Sequence, residues 1–154
     1  MGIEIERKFL VKDASWKAMA GEGLVCRQGY LCSSGGRTVR IRVLGDQAFL
    51  TIKGPSTGIT RDEFEYEIPM GDAEAMLKLC DGLVEKTRYL LIHAALQWEL
   101  DVFAGANTGL IMAEIELNSE AQPIDLPSWA GLEVTGDKRY YNAYLAQHPF
   151  SQWG

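Results

Sequence analysis

The chain has 154 residues, 47% of them hydrophobic and 23% charged, and its formal net charge is −6 at pH 7. This length and composition suit one soluble globular domain over residues 1–154 with a sizeable core. The negative charge argues against a nucleic-acid-binding protein that relies on a basic surface, but it leaves a phosphate ligand open because local charge and metal ions decide that.

Eight segments of the chain alternate polar and apolar residues, which is the pattern of β-strands. Most are separated by short turns rich in glycine, at 33–36, 45–46 and 54–58. Short turns join antiparallel neighbours, so we predict a largely antiparallel sheet. The predicted strands cover residues 4–11, 24–31, 38–43, 48–53, 61–68, 85–92, 97–103 and 110–118.

Three segments have the features of helices. Residues 14–21 follow Asp13, a residue type that caps helices, and residues 72–83 carry apolar side chains at helical spacing. A final helix is predicted from about residue 137 to about residue 147. The segment 122–130 contains two prolines and is predicted to be a loop.

Cysteine usage and hydropathy indicate the compartment. Cys26, Cys32 and Cys80 are odd in number and lack zinc-ligand spacing, so we interpret them as reduced thiols. The first residues are charged and lack the apolar segment of a signal peptide. No stretch approaches the apolar length that spans a membrane. The sequence therefore predicts a cytoplasmic protein with no membrane or nucleic-acid partner.

The two faces of the predicted strands differ sharply in polarity, because alternate residues on a strand point to the same side. One face carries almost only Ile, Val, Leu, Phe, Tyr and Ala. The opposite face carries the polar set, which is Glu4, Glu6, Lys8, Thr38, Arg40, Arg42, Thr51, Lys53, Glu63, Glu65, Glu67, Lys86, Arg88, Glu99, Asp101, Glu114, Glu116 and Asn118.

Two architectures explain this separation. In the first, an antiparallel sheet exposes its polar face to water and packs helices on its apolar face. In the second, eight strands close into a barrel whose apolar face points outward and whose charges line a tunnel, which also removes exposed sheet edges. The second is favoured because exposed ion pairs contribute only ~0–1 kcal/mol each, so a water-facing sheet gains little from so many charges.

The residue types of the polar face indicate polyphosphate chemistry. Three of its cations, Arg40, Arg42 and Arg88, are arginines, whose planar fork matches the geometry of phosphate. Carboxylates without histidine or cysteine suit a hard cation such as Mg²⁺ or Mn²⁺. Cationic clamps beside metal-binding carboxylates are typical of enzymes that act on polyphosphates.

The ordered motifs of these strands resemble the CYTH superfamily, the triphosphate tunnel metalloenzymes. Each motif alone is weak, but the ordered set is specific and covers almost the whole chain. The short chain and Gln28-Gly29-Tyr30-Leu31 resemble the small bacterial members that hydrolyse inorganic tripolyphosphate. The matching motifs are Glu4-Ile5-Glu6-Arg7-Lys8, Arg40-Ile41-Arg42, Thr51-Ile52-Lys53, Glu63-Phe64-Glu65, Lys86-Thr87-Arg88, Asp101 and Glu114-Ile115-Glu116.

The resemblance implies an α+β fold and an activity. The fold would be a single triphosphate tunnel domain: an eight-stranded antiparallel closed β-barrel with helices packed outside and a C-terminal helix. The activity would be metal-dependent hydrolysis of inorganic tripolyphosphate to pyrophosphate and phosphate inside the tunnel. The implied cofactor is Mg²⁺ or Mn²⁺ and the implied partner is a small triphosphate. The oligomeric state stays open, with a homodimer as one option.

The resemblance also assigns roles to individual positions. Lys86 and Tyr30 match a lysine and a tyrosine that are proposed to help activate water. The implied phosphate ligands are Lys8, Arg40, Arg42, Lys53, Lys86 and Arg88, joined by Lys138 or Arg139 near the final helix. The implied metal ligands are Glu63, Glu65, Asp101, Glu114 and Glu116, with Glu4 and Glu6 at a second ion.

Three other functions stay open. A class IV adenylate cyclase would need an adenosine pocket beside the phosphates, and a thiamine triphosphatase would need an aromatic slot for the thiazolium ring. A module that binds polyphosphate without hydrolysing it is disfavoured by the acidic residues, because anion binding alone needs no carboxylates for a metal.

Overall fold

The computed structural model describes residues 2–153, which contain nine strands, two α-helices and four short 3₁₀ helices. The strands are β1 (Ile3–Val11), β2 (Leu24–Ser34), β3 (Arg37–Leu44), β4 (Gln47–Lys53), β5 (Thr60–Glu67), β6 (Leu83–His93), β7 (Leu96–Phe103), β8 (Ile111–Glu116) and β9 (Ala130–Glu133). The α-helices are α1 (Met70–Leu77) and α2 (Asn142–Gln147), and the 3₁₀ helices are Ser15–Met19, Gly105–Asn107, Lys138–Tyr140 and Phe150–Gln152.

Eight of the strands close into an antiparallel barrel. Their order is β5-β4-β3-β2-β6-β7-β8-β1, and β1 returns to pair with β5. On one edge β1 pairs with β8 through Glu6–Leu10, and on the other its residues 3–5 pair with residues 60–62 of β5. The prediction of a closed eight-stranded barrel is therefore confirmed.

The ninth strand was missed by the sequence analysis, which assigned no strand to residues 130–133. In β9, Ala130 and Glu133 pair with Val11 and Phe9 of β1. Because β5 pairs with only the first three residues of β1 on that edge, the rest of the edge is free for β9. A strand of four residues is too short to produce a recognisable alternation of polar and apolar residues.

The helices are shorter than predicted. The helix predicted over 72–83 ends at Leu77, because Leu83 already pairs with Gly29 of β2 and the chain must be extended there. Leu79, counted in the predicted apolar face, is 73% exposed. The predicted first helix is only one 3₁₀ segment.

The predicted C-terminal helix is divided into two helical segments. An extended residue, Tyr141, with φ −73° and ψ 136°, separates the 3₁₀ helix Lys138–Tyr140 from α2. None of the helices in the described part of the chain has the length and apolarity needed to cross a membrane.

The outer face of the barrel is apolar and packs under the peripheral elements. On β3, Ile41 and Val43 pack against Ala73 and Leu77 of α1. On the other side of the barrel, the buried Trp98 contacts the rings of Phe9 and Trp129, with centroids 5.6 and 5.5 Å away. The charged face of the strands therefore points into the barrel, as the sequence pattern predicts.

Apolar side chains cover part of one end of the barrel. Val84, Phe103 and Met112 each lie two positions from a charged residue of the inner face, and they are buried together with Leu145 of α2. The C-terminal helix thus lies across part of this end of the barrel. The remainder of the interior is a charged cavity.

Candidate active site

A cavity of about 650 Å³ occupies the barrel interior. Its mouth is formed by the β2–β3 turn, the β4–β5 loop and α2. The lining brings together sequence-predicted residues from several strands and from the C-terminal segment. They are Glu4, Glu6, Lys8, Tyr30, Arg40, Arg42, Lys53, Glu114 and Lys138.

Two arginines of β3 line this cavity and keep hydrogen-bond donors without an acceptor. The Nη2 atom of Arg40 donates to Thr51 Oγ1 at 3.1 Å and lies 3.4 Å from Glu65 Oε2, whereas its Nε is buried without a partner. Arg42 forms no ion pair within the described residues. Burial, and then the charges of Arg40 and Arg88, lower the pKa of Arg42. An anion would relieve this crowding of positive charge.

Gln28, to which the sequence analysis assigned no role in the site, orients this side of the site. It is fully buried, and its Oε1 accepts a hydrogen bond from Arg42 Nε at 2.8 Å. Its Nε2 donates to the hydroxyl of Tyr30 at 3.2 Å. The available signal was its position, because Gln28 pairs directly with Arg42 and shares a strand face with Tyr30.

Lys53 links two carboxylates near the start of β1. Its ammonium lies 2.9 Å from Glu4 Oε2 and 3.4 Å from Glu63 Oε2. Burial raises the pKa of Glu4, which Lys53 partly opposes and Glu63 reinforces. Basic and acidic side chains therefore lie side by side along this wall of the cavity.

Glu6 and Glu114 are the carboxylates lining the cavity whose pKa values the surroundings shift most. Burial raises the pKa of Glu6 well above its ordinary value, and the charges of Glu114 and Glu4 raise it further. Glu114 is 3.5 Å from Lys8 Nζ, and although burial opposes ionisation, Lys8 and Arg88 hold its pKa well below the ordinary value. The positive charge of the protein thus compensates Glu114, but it does not offset the effects of burial and neighbouring carboxylates on Glu6.

Lys86, Arg88 and Asp101 form a separate, buried ion-pair network. Asp101 Oδ1 and Oδ2 accept from the Nε and Nη2 of Arg88 at 2.8 and 3.0 Å, and Oδ2 also lies 2.7 Å from Lys86 Nζ. Although burial opposes it, Lys86 and Arg88 lower the pKa of Asp101 to about 2. Burial lowers the pKa of Lys86, opposed by Asp101. None of the three lines the cavity.

The remaining predicted metal and phosphate ligands differ in whether they line the cavity. Glu65 and Glu116 are exposed at the residue level, and neither lines the cavity. Of the two basic candidates near the final helix, Lys138 lines the cavity, whereas Arg139 lies outside the lining and pairs with Asp137 at 2.7 Å. The seven predicted metal ligands are therefore distributed over several surroundings, with Glu4, Glu6 and Glu114 sharing the cavity.

Arg61 is a further basic lining residue that the sequence analysis did not assign to the site. Its Nε donates to the carbonyl of Gly54 at 2.9 Å and its Nη2 to the carbonyl of Gly36 at 3.1 Å. It thereby ties the β4–β5 loop to the β2–β3 turn at the mouth. Gly36 has a φ of +78°, which a residue without a side chain adopts readily.

The donor set of the cavity fits a hard divalent cation. Glu4, Glu6 and Glu114 offer only carboxylate oxygens, which Mg²⁺ and Mn²⁺ prefer. Within residues 2–153 no three acidic, histidine or cysteine side chains already converge on one point. The fit rests on the donor chemistry and on the raised pKa of Glu6, since a cation would offset the repulsion among these carboxylates.

Comparisons with known proteins agree with this geometry. The chain is 46% identical over 155 residues to an inorganic triphosphatase of Acetivibrio thermocellus, with 99% of each chain covered. It is 40% identical over 148 residues to an inorganic triphosphatase of Nitrosomonas europaea, covering 93% of this chain and 96% of the relative. A crystal structure of an inorganic triphosphatase matches 93% of each chain with a TM-score of 0.66 and 39% identity. Residues 2–141 match the CYTH domain, and the chain therefore belongs to the CYTH family.

Proposed function

We propose that this protein is a metal-dependent inorganic triphosphatase that hydrolyses tripolyphosphate to pyrophosphate and phosphate in its barrel cavity. The observation that carries the proposal is the presence, in one cavity, of donors on Arg40 and Arg42 that have no acceptor and of the Glu6 carboxylate, whose charge is disfavoured by burial and by two neighbouring carboxylates. A polyphosphate and a divalent cation together satisfy both groups. The two curated relatives bear the name of this activity.

Binding of the triphosphate would use the cationic lining. Arg40 and Arg42 lie two positions apart on β3 and face the same side, so their forks can hold neighbouring phosphoryl groups. Lys8 and Lys53 add charge from β1 and β4, and Lys138 adds it at the mouth. Fixing the phosphates in this way supplies the positioning on which phosphoryl transfer depends.

The metal would be held by the acidic lining. Glu4, Glu6 and Glu114 are the residues of this chain that would ligate Mg²⁺ or Mn²⁺, and Glu63 lies close to them beside Lys53. Such an ion neutralises charge on phosphoryl oxygens. Glu65, Glu116 and Asp101 stay candidates for ligation from the wider ring of acidic residues.

Tyr30 and Lys86 would contribute differently to proton transfer. Tyr30 lines the cavity, and its oxygen accepts a hydrogen bond from Gln28, which leaves its own proton free to donate. Lys86 is engaged with Asp101, and no hydrogen bond joins it to Tyr30 within residues 2–153. We therefore propose that Tyr30 contacts the reacting groups and that Lys86 acts on the site through its neighbours.

Phosphate release from three substrates tests this function. Tripolyphosphate, ATP and thiamine triphosphate would be compared with Mg²⁺ and with Mn²⁺ at the same concentration. We expect the highest kcat/KM for tripolyphosphate and no turnover with chelator. Efficient formation of cyclic AMP from ATP, with little phosphate released from tripolyphosphate, would contradict the proposal.

A further inference from the structure

Asn142 connects the buried ion-pair network to the cavity. It is the first residue of α2 and lines the cavity, and its Oδ1 accepts a hydrogen bond from Lys86 Nζ at 2.9 Å. Lys86 itself has a fully buried side chain, held by Asp101 at 2.7 Å and lying 5.3 Å from the centre of the Phe103 ring. Asn142 is therefore the residue through which Lys86 meets the cavity.

The chemistry of Lys86 fixes the orientation of the Asn142 amide. A lysine ammonium only donates hydrogen bonds, so the atom of Asn142 that faces it must be the carbonyl oxygen. The amide nitrogen then points away from Lys86. Within residues 2–153 this Nδ2 has no hydrogen-bond partner, and it is not among the buried atoms left unsatisfied. Its two N–H donors are thus open to the cavity.

The backbone of Asn142 is held in place by the packing of α2 against the barrel. Leu145, three residues later, is fully buried with Val84, Phe103 and Met112 at one end of the barrel. The positive charge of Lys86 on Oδ1 also polarises the amide, which strengthens hydrogen bonds donated by the nitrogen. The result is a positioned and polarised neutral donor in the wall of the cavity.

We propose that Asn142 is a phosphate-binding residue, whose Nδ2 donates to an oxygen of the bound triphosphate while its Oδ1 is held by Lys86. The inference rests on the proposed function and deepens it. It gives Lys86 an indirect role, in which the lysine orients and polarises the amide that touches the substrate. A neutral donor at this point adds a hydrogen bond without adding to the crowding of positive charge around Arg42 and Arg88.

Two substitutions of Asn142 distinguish substrate binding from a purely structural role. Asn142→Asp keeps an acceptor for Lys86 but replaces both donors with a negative charge. Asn142→Ala removes the acceptor and the donors together. If Asn142 only satisfied Lys86, the aspartate variant would behave like the wild type and the alanine variant would be worse. If Asn142 binds phosphate, the aspartate variant should be more impaired than the alanine variant.

The measurements are KM and kcat for tripolyphosphate at saturating Mg²⁺, and the rise in Tm that tripolyphosphate causes. We expect Asn142→Ala to raise KM by ~10-fold, the size expected for loss of a hydrogen bond to a charged group. Asn142→Asp should raise KM by ~100-fold or more and abolish the Tm rise, while its Tm without ligand stays at or above the wild-type value.

Gln147→Glu is the matched control for added charge, because Gln147 lies on the same helix and also lines the cavity. The KM of Gln147→Glu should rise several-fold less than the KM of Asn142→Asp. Equal effects of the two acidic variants, or an alanine variant more impaired than the aspartate variant, would overturn the role of Asn142. If the wild type fails to hydrolyse tripolyphosphate, the proposed function itself fails, whatever the variants do.

Discussion

Two groups of basic side chains lie inside the same barrel, and they differ in what neutralises them. Lys86 and Arg88 of β6 are matched by Asp101, which accepts from both within 3.0 Å. Arg40 of β3 has a buried Nε without a hydrogen-bond partner. Arg42 of β3 forms no ion pair among the described residues. The first group is complete without a ligand, whereas the second is not.

This difference separates stability from function among residues that look alike in the sequence. A basic residue already paired with a buried carboxylate contributes to folding, and removal of one partner leaves an uncompensated charge. A basic residue with unused donors in a cavity contributes mainly when a ligand occupies it. The two groups should therefore respond in opposite ways to substitution.

The largest expected effect is on the matched group. Asp101→Asn should lower the free energy of unfolding by ~3–5 kcal/mol, because it leaves Lys86 buried without a counter-charge and Arg88 with only the partly exposed Glu99, 3.0 Å away. Urea denaturation with Mg²⁺ and phosphate absent measures this directly. The matched control is Glu65→Gln, since Glu65 has a 41% exposed side chain 3.4 Å from Arg40 and should cost below ~1 kcal/mol. Equal costs would remove the distinction between the two groups.

Glu6 should show the reverse pattern, with a large effect on activity and none on folding. Glu6→Gln removes a charge that burial and Glu114 disfavour, so the metal-free protein should be at least as stable as the wild type. We expect kcat/KM to fall by ~10²-fold and the rise of Tm with Mg²⁺ to disappear. Glu133→Gln, at a carboxylate paired with Arg7 outside the cavity, is the control. An unchanged Tm rise with Mg²⁺ in the Glu6 variant would argue against a metal at this position.

Arg40→Lys tests the unmatched group more gently, because it keeps the charge and loses the planar fork. We expect a loss of ~10-fold in kcat/KM, about the value of one hydrogen bond to a charged oxygen. Unfolding should change little. Arg7→Lys makes the same change at an arginine that binds Glu133 through two donors outside the cavity, and its kinetics should match the wild type. Wild-type kinetics in both variants would show that Arg40 does not grip phosphate through its fork.

The alternation of polar and apolar residues favoured the closed barrel and predicted the charged strand residues that line the cavity. It could not separate the two basic groups, because that depends on cross-strand register. Arg88 lies directly opposite Asp101, whereas Arg42 lies opposite Gln28. The sequence of one strand does not contain its register against the next strand, since loop geometry and packing set it.

Two further features depended on tertiary contacts. The strand β9 exists because β5 leaves part of one edge of β1 unpaired, which no local pattern encodes. The role of Asn142 depends on the packing of Leu145 against Val84, Phe103 and Met112 at one end of the barrel, which brings α2 against Lys86. The sequence analysis placed both residues inside a predicted helix, but it had no means of predicting what that helix would contact.

The smallest expected effect is a pH dependence of stability that contrasts an unmatched carboxylate with a matched one. The pKa of Glu6 is raised in the folded protein by burial, then by Glu114 and Glu4, so the folded state binds a proton more tightly than the unfolded chain does. Stability should therefore increase as the pH falls through the folded pKa of Glu6, and the gain is complete below the unfolded value. The contribution of Asp101 to stability depends on pH in the opposite direction. Its pKa is lowered to about 2, so its contribution is present above the ordinary value and is lost as the pH falls toward 2.

The opposite pH dependences contributed by Glu6 and Asp101 predict that the metal-free protein is most stable at a pH below 7. Stability should rise between pH 7 and the maximum, because protonation of Glu6 removes a charge that the folded protein disfavours. Urea denaturation from pH 7 to pH 3, with chelator present, measures the curve. In Glu6→Gln the increase should flatten, because the titrating group is gone, while the fall below about pH 4 persists because Asp101 remains. A variant that keeps the full increase would assign it to another carboxylate of the cavity, and a curve that only falls with decreasing pH would mean that the Lys8 and Lys53 charges already compensate Glu6.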